Sequence, residues 1–268
     1  MSKSKCILLI AKQRSGTHLL QSLLSSLPYF SSHDEVFHQN GIKSNKNYFN
    51  FRRDRFKENP DLSIPTIENI KHLFDSYFDF LGNSATTDYC ITDIKYNSVS
   101  HFVPIWHSPV KQPTLITLAK QNSLPIIHLV RENVLEAYAS MLLARKNKQY
   151  AKYRDKSLKF TTININPQTI VCELQNRLKE IDFFRSYLDN YKYSCYIKYS
   201  EILEDQSLSK SVKDKIKLLL KVNIQEKNYT PYAKMAPTLE EMIENYDEVL
   251  DILIKNNLSY LILSKENL

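Results

Sequence analysis

Arg14, Ser15, Gly16 and Thr17 stand together in the turn Lys12-Gln13-Arg14-Ser15-Gly16-Thr17-His18, between an apolar run and an amphipathic one. A turn of that kind can hold a phosphate. Backbone N–H groups at a helix start point into one small volume, and the helix dipole favours negative charge there. Arg14 adds a fixed charge, and Ser15 and Thr17 add hydroxyl donors. Gly16 lets a ligand approach the backbone closely. The chain has only three glycines, where ordinary usage of about 7% would give roughly nineteen, so one of a scarce set sits in this turn. A second cation, Arg131, follows the apolar run Pro125–Val130, and Ser140 lies downstream on a helical pattern. The groups able to take a proton cluster in Tyr29–Asn40, where Glu35 has His33 and His38 for neighbours.

The elements that must position these groups alternate along the chain. Cys6–Ala11, Tyr89–Lys95, Pro125–Val130 and Ser194–Tyr199 read as strands. Between them lie helical patterns. The first carries Leu19, Leu20, Leu23, Leu24 and Leu27. A second carries Ile67, Ile70, Leu73, Phe74 and Tyr77, capped by Thr66 and ended by Gly82. Others cover Thr114–Gln121, Val134–Lys152, Pro167–Tyr191, and Ile202–Val222 with a polar break at Asp205–Ser209. The last spans Pro237–Leu253, where Thr238 and Glu241 form a capping box. Alternation of this kind predicts an α/β fold, a central parallel sheet with helices on both faces. Ligands of such sheets bind beyond the carboxyl ends of the strands. Three polar turns meet that condition: Lys12–His18, Lys95-Tyr96-Asn97 and Arg131-Glu132-Asn133. The excursion at about 40–65 has no clean period and is expected to be a substrate loop.

At 268 residues, with 43% hydrophobic and 24% charged content, the chain is expected to form one domain spanning 1–268. No window of eighteen apolar residues argues for a membrane span. The basic N-terminus runs into an apolar stretch that breaks at Lys12 without a small-residue cleavage site, so a cytoplasmic protein is expected. Cys6, Cys90, Cys172 and Cys195 are scattered, and reduced, buried thiols are the expectation. The net charge of +7 favours anionic partners but is too modest to imply nucleic acid. Much of the excess lies in Arg145–Lys159, read either as a solvated helix end or as the wall of an anion-attracting cleft.

The turn is not a Walker A loop, and G-x-G-x-x-G is also absent. Gln13-Arg14-Ser15-Gly16-Thr17-His18-Leu19-Leu20 does resemble the 5′-phosphosulfate loop of sulfotransferases that use 3′-phosphoadenosine 5′-phosphosulfate (PAPS), with Gln13 in place of the usual Pro. Their second motif is an apolar strand, an Arg and a Ser about two helical turns on. IIHLVRENVLEAYASMLLA is similar to it, with nine positions from Arg131 to Ser140 where eight is commoner. Glu35-Val36-Phe37, Asp93-Ile94-Lys95, Arg131-Glu132-Asn133-Val134, Tyr199–Leu203 and Ile243–Val249 resemble further elements of the bacterial carbohydrate sulfotransferases of the nodulation-factor and trehalose type. The excursion at 40–65 and the segment 145–165 carry no motif of that family.

The resemblance implies a P-loop-like three-layer fold and in-line transfer of a sulfuryl group from PAPS to a hydroxyl, with no metal required. The expected partner is then a glycan or small-metabolite acceptor, not a nucleic acid, and a homodimer is compatible with that expectation. By resemblance Glu35 is the base, with His33 and His38 as rivals. Arg14 bridges the leaving 5′-phosphate and the sulfuryl group. The turn from Arg14 through Ser15, Gly16, Thr17, His18 and Leu19 binds the donor, Arg131 and Ser140 take its 3′-phosphate, and Lys234 in a late loop adds a contact. His18 is read as a helper and Lys95 as either a site residue or a solvated strand end. Tyr48, Phe49, Phe51, Trp106 and Tyr150 are aromatics that could stack on an acceptor or pack the core. Two other readings stay open: a P-loop kinase-like phosphotransferase, and a non-catalytic nucleotide- or RNA-binding module using the basic stretch.

Overall fold

The computed structural model describes residues 5–39, 44–106, 112–148, 161–224 and 237–261. Strands β1 (Lys5–Ala11), β2 (Phe30–Ser32), β3 (Tyr89–Lys95), β4 (Ile126–Val130) and β5 (Ser194–Lys198) form a five-stranded sheet in the order β2-β3-β1-β4-β5, with every pair parallel. The helices are α1 (Thr17–Ser25), α2 (Tyr48–Glu58), α3 (Ile67–Asn83), α4 (Thr114–Gln121), α5 (Val134–Asn147), α6 (Ile170–Leu188), α7 (Lys210–Leu220), α8 (Leu239–Met242) and α9 (Tyr246–Lys255). A short hairpin of β6 (Leu203–Glu204) and β7 (Ser207–Leu208) precedes α7.

The central strand shows why two helix layers form. Successive side chains of a strand face opposite sides, and β1 is apolar on both. Cys6, Leu8 and Ile10 join a core with residues of α3, α4, α5, α6 and α9, whereas Ile7, Leu9 and Ala11 join a second core with α1 and α7. The expected α/β three-layer architecture is the observed one. Register then fixes where the turns emerge. Ala11 pairs with Lys95 on one side and Leu129 on the other, so β1, β3 and β4 end almost level and their turns meet at one sheet edge.

Several elements differ from the sequence expectations. The excursion at 40–65 is not a structureless loop where described. Asn47 caps α2 by accepting from Phe49 N–H, and Tyr48 and Phe51 bury its inner side. Phe30–Ser32 is an edge strand that two serines disguised. Ile202–Val222 is not one helix, because Asp205 and Gln206 adopt φ of 49° and 62° and turn the hairpin, and α7 starts only after its Ser209 cap. Pro237–Leu253 is broken too. Ile243 bridges to Ile163, and the Asn245 side chain bonds both backbone groups of Ile165 at 3.0 and 2.8 Å, so α8 stops and α9 restarts at Tyr246. α5 ends at Asn147, with Lys148 as a left-handed cap at φ 51°. Among the cysteines, Cys6 and Cys90 are buried as expected, Cys195 is half-buried, and Cys172 is exposed on the outer side of α6. No helix among the described residues is long and apolar enough to cross a membrane.

Candidate active site

The turn after β1 is held in a shape that depends on its glycine. Arg14 has φ 71° and Gly16 φ 90°, both left-handed, and Gly16 is the N-cap of α1. A Cβ on Gly16 would lie 2.5 Å from the Tyr199 ring, so glycine is required by backbone and by packing alike. Ser15 and Thr17 are buried beneath the turn.

Two arginines meet there. Arg14 donates from Nε and Nη2 to Ser140 Oγ at 3.1 and 3.0 Å, which ties the first turn to α5. Arg131, at the end of β4, donates from Nη1 to the Arg14 carbonyl at 3.1 Å and pairs through Nη2 with Glu136 at 2.7 Å. Its guanidinium lies 4.6 Å over the Tyr199 ring, and its buried Nε has no hydrogen-bond partner among the described residues. Arg14, Arg131 and Ser140, expected to share a site, are therefore in direct contact or one residue removed from it.

On the other side of the turn stands a different group. Asp34 takes φ 53° after β2, and its carbonyl accepts from Asp93 N–H at 3.4 Å, which sets Glu35 over the end of β3. Lys95 Nζ contacts Thr17 Oγ1 at 2.7 Å, Asp93 Oδ2 at 2.7 Å and Glu35 Oε1 at 3.1 Å. His18 Nε2 lies 3.6 Å from the same Glu35 oxygen. Burial works to raise the Glu35 pKa, yet Lys95, His18 and His38 outweigh it and hold the carboxyl below its ordinary value. Burial likewise works to lower Lys95, and the two carboxylates overcome it, so the ammonium is held above its usual value. Asp93, almost wholly buried, is pushed up by burial, with Lys95 opposing and the Glu35 charge adding to the rise. Gln21 also donates to Asp93, at 3.3 Å. A cation clamped by two carboxylates beside a donor-rich turn can hold one carboxylate ionised next to an anionic ligand.

The other named residues divide. His38 is exposed next to Glu35, its N–H bonded to the Glu35 carbonyl at 3.1 Å. His33 is buried, with Nε2 against the Leu81 carbonyl at 3.2 Å and Nδ1 against Lys46 at 3.2 Å, which gives it a packing role. Leu19 packs against the α1-side core. Tyr96 leaves the site: it stacks on Phe184 at 4.2 Å, and its hydroxyl meets His128 at 2.6 Å. Asn97 accepts from Gln13 at 2.9 Å and so braces the turn from β3. Tyr48 and Phe51 are core residues, and Trp106 is exposed. Lys234, Tyr150 and most of Arg145–Lys159 lie outside the described residues. The sequence reading missed Asp93, Glu136 and Tyr199 as partners. Asp93 was detectable, because a strand places residues two apart on one face and Asp93 is two from Lys95.

No family model and no curated protein matches the chain. Among solved structures, a sulfotransferase from Alicyclobacillus acidocaldarius is similar at 15% identity and a TM-score of 0.47, over 98% of this chain and 96% of that one.

Proposed function

We propose that the protein transfers a sulfuryl group from PAPS to a hydroxyl of a carbohydrate or small-metabolite acceptor. The observation that carries this reading is the junction of the two turns, where Arg14 touches Ser140 and Arg131 touches Arg14. Two anion-seeking groups in contact at one sheet edge suit a nucleotide with phosphates at both its 5′ and 3′ positions. The donor set fits that ligand. It consists of guanidinium, hydroxyl and helix-start N–H groups, and the buried Nε of Arg131 has no partner among the described residues.

In this reading Arg14, with the N–H groups of Ser15, Gly16 and Thr17 and the hydroxyls of Ser15 and Thr17, holds the 5′-phosphosulfate; His18 and Leu19 flank it. Arg131 and Ser140 hold the 3′-phosphate. Glu35 accepts the proton from the acceptor hydroxyl. The acceptor oxygen forms the new bond to sulfur, and the bond from sulfur to the 5′-phosphate oxygen breaks. The electron pair of that bond stays on the phosphate, where Arg14 offsets the growing charge. Lys95 is a positioning residue: it keeps Glu35 ionised and fixed. Lys234 is a further donor contact in this reading, and His38 is the reserve base.

The test is transfer of label from radiolabelled PAPS to a panel of sugars and small hydroxyl compounds, in the presence of a chelator. Label should move to an acceptor with the wild-type chain. Glu35→Gln should lower the rate by about a hundredfold or more, the usual worth of a positioned base, with affinity for adenosine 3′,5′-bisphosphate unchanged. Full turnover in Glu35→Gln would shift the base to His38. Absence of label transfer together with magnesium-dependent phosphate transfer from ATP would replace the reading with a kinase-like one.

A further inference from the structure

Helix α2 carries a cleft that the transfer machinery above does not use. Phe49, Arg52, Arg53, Phe56 and Lys57 line about 340 Å³ of open space. Their spacing places them along one side of the helix, while Tyr48 and Phe51 anchor the opposite side in the core.

The cations of this cleft are not equivalent. Arg53 and Lys57 both pair with Asp54, at 3.6 and 3.0 Å, and neighbouring Arg55 pairs with Glu58 at 2.7 Å. Arg52 has no carboxylate within ion-pairing distance among the described residues. Its half-buried guanidinium lies 5.9 Å from the Tyr48 ring centre and 5.4 Å from that of Phe56. Rings shield a guanidinium from water without cancelling its charge. Behind the cleft, His101 meets the Phe49 ring edge-on at 4.9 Å, and burial together with the Arg52 charge holds its imidazole below its ordinary pKa. The cleft thus offers a half-buried guanidinium, without a carboxylate partner among the described residues, that lies between the buried Tyr48 ring and the half-buried Phe56 ring, with the half-buried Phe49 ring also lining the space.

The cleft is also fixed relative to Glu35. Tyr48 N–H donates to the Val36 carbonyl at 2.9 Å, and Asn47 Nδ2 donates to the His38 carbonyl at 3.0 Å. The first turn of α2 is therefore fastened to the residues that follow Glu35. Arg52 stands one turn further on, about 6 Å along the axis at the usual rise.

The geometry points to the α2 cleft as an acceptor subsite for a ring-bearing carboxylate, such as a uronic-acid sugar, with the carboxylate on Arg52 and the ring against Phe49 and Phe56. Its role as an acceptor subsite rests on the sulfuryl-transfer reading; the binding itself does not. A neutral sugar of the same shape would fill the cleft but leave the Arg52 charge unanswered, and a charge-assisted bidentate pair is the interaction it would forgo.

Phenyl β-D-glucuronide and phenyl β-D-glucoside are matched probes that differ in the carboxylate. Their affinities for the full chain, measured by calorimetry without donor, should differ by about tenfold in favour of the glucuronide, the worth of one such contact. Arg52→Gln should erase the difference, and Arg52→Lys should retain part of it. Equal affinities in the wild type, or a preference that survives Arg52→Gln, would overturn the proposal. Stabilisation by adenosine 3′,5′-bisphosphate is measured in parallel. A glucuronide preference without that stabilisation sinks the sulfuryl-transfer reading alone, and stabilisation without the preference sinks the cleft alone.

Discussion

The two sides of the turn after β1 use positive charge in opposite ways. On the α5 side, Arg14 meets a hydroxyl, and Arg131 meets a carbonyl, a ring and the single carboxylate of Glu136. On the β3 side, Lys95 meets two carboxylates and a hydroxyl. In the proposed reading the first side binds the phosphates of the donor. The second spends its cation within the protein, on the state of Glu35. Under the proposed function, binding and proton transfer call for these different treatments, because a base must stay ionised and fixed while a phosphate site must stay electropositive.

Removing the two cations should therefore produce different losses. Lys95→Met leaves two carboxylates facing each other in a nearly buried site and should cost about 3–5 kcal/mol of stability, as breaking a buried pair does. Denaturant titration measures it. The same variant should raise the Glu35 pKa, since Lys95 is the largest of the groups lowering it. In the wild type Glu35 has a depressed pKa, so its favourable contribution is present above the unfolded-state value and is lost as pH falls through the lower folded-state value. The acid limb of transfer should accordingly lie below the ordinary glutamate value and move upward in Lys95→Met. An acid limb that stays in place would mean that the β3 side does not tune the base.

A smaller effect on stability, confined to the α5 side, is expected of Gly16→Ala. The new Cβ meets the Tyr199 ring and the backbone is left-handed, so about 1–3 kcal/mol of strain is expected. Because Tyr199 also stacks under Arg131, displacing it should weaken nucleotide binding while the pH profile of transfer keeps its acid limb. A variant that shifts the acid limb instead would merge the two sides into one.

Much of the turn after β1 and its meeting with the end of β4 was legible in the sequence because its parts are local. Ile7–Ala11 is apolar at every position, and Arg14–Thr17 follows at once; Arg131 ends another apolar run. What the sequence hid depends on distant chain. Tyr199 reaches Gly16 only through the register of β4 with β5, and Asn245 breaks the last helix only because Ile165 presents two backbone groups to it. Helix α2 was hidden for another reason: Arg and Phe are interleaved around it, so no clean apolar stripe announces it, and its Asn47 cap and buried Tyr48 become visible only in the fold.

In the proposed function this sheet edge holds a nucleotide bearing both 5′ and 3′ phosphates without help from magnesium. Calorimetric titration of the wild-type chain with adenosine 3′,5′-bisphosphate, in the presence of a chelator, tests it most directly. Saturable binding at one site, accompanied by thermal stabilisation, is the expected result. Absence of binding under those conditions, alongside magnesium-dependent binding of ATP, would contradict it.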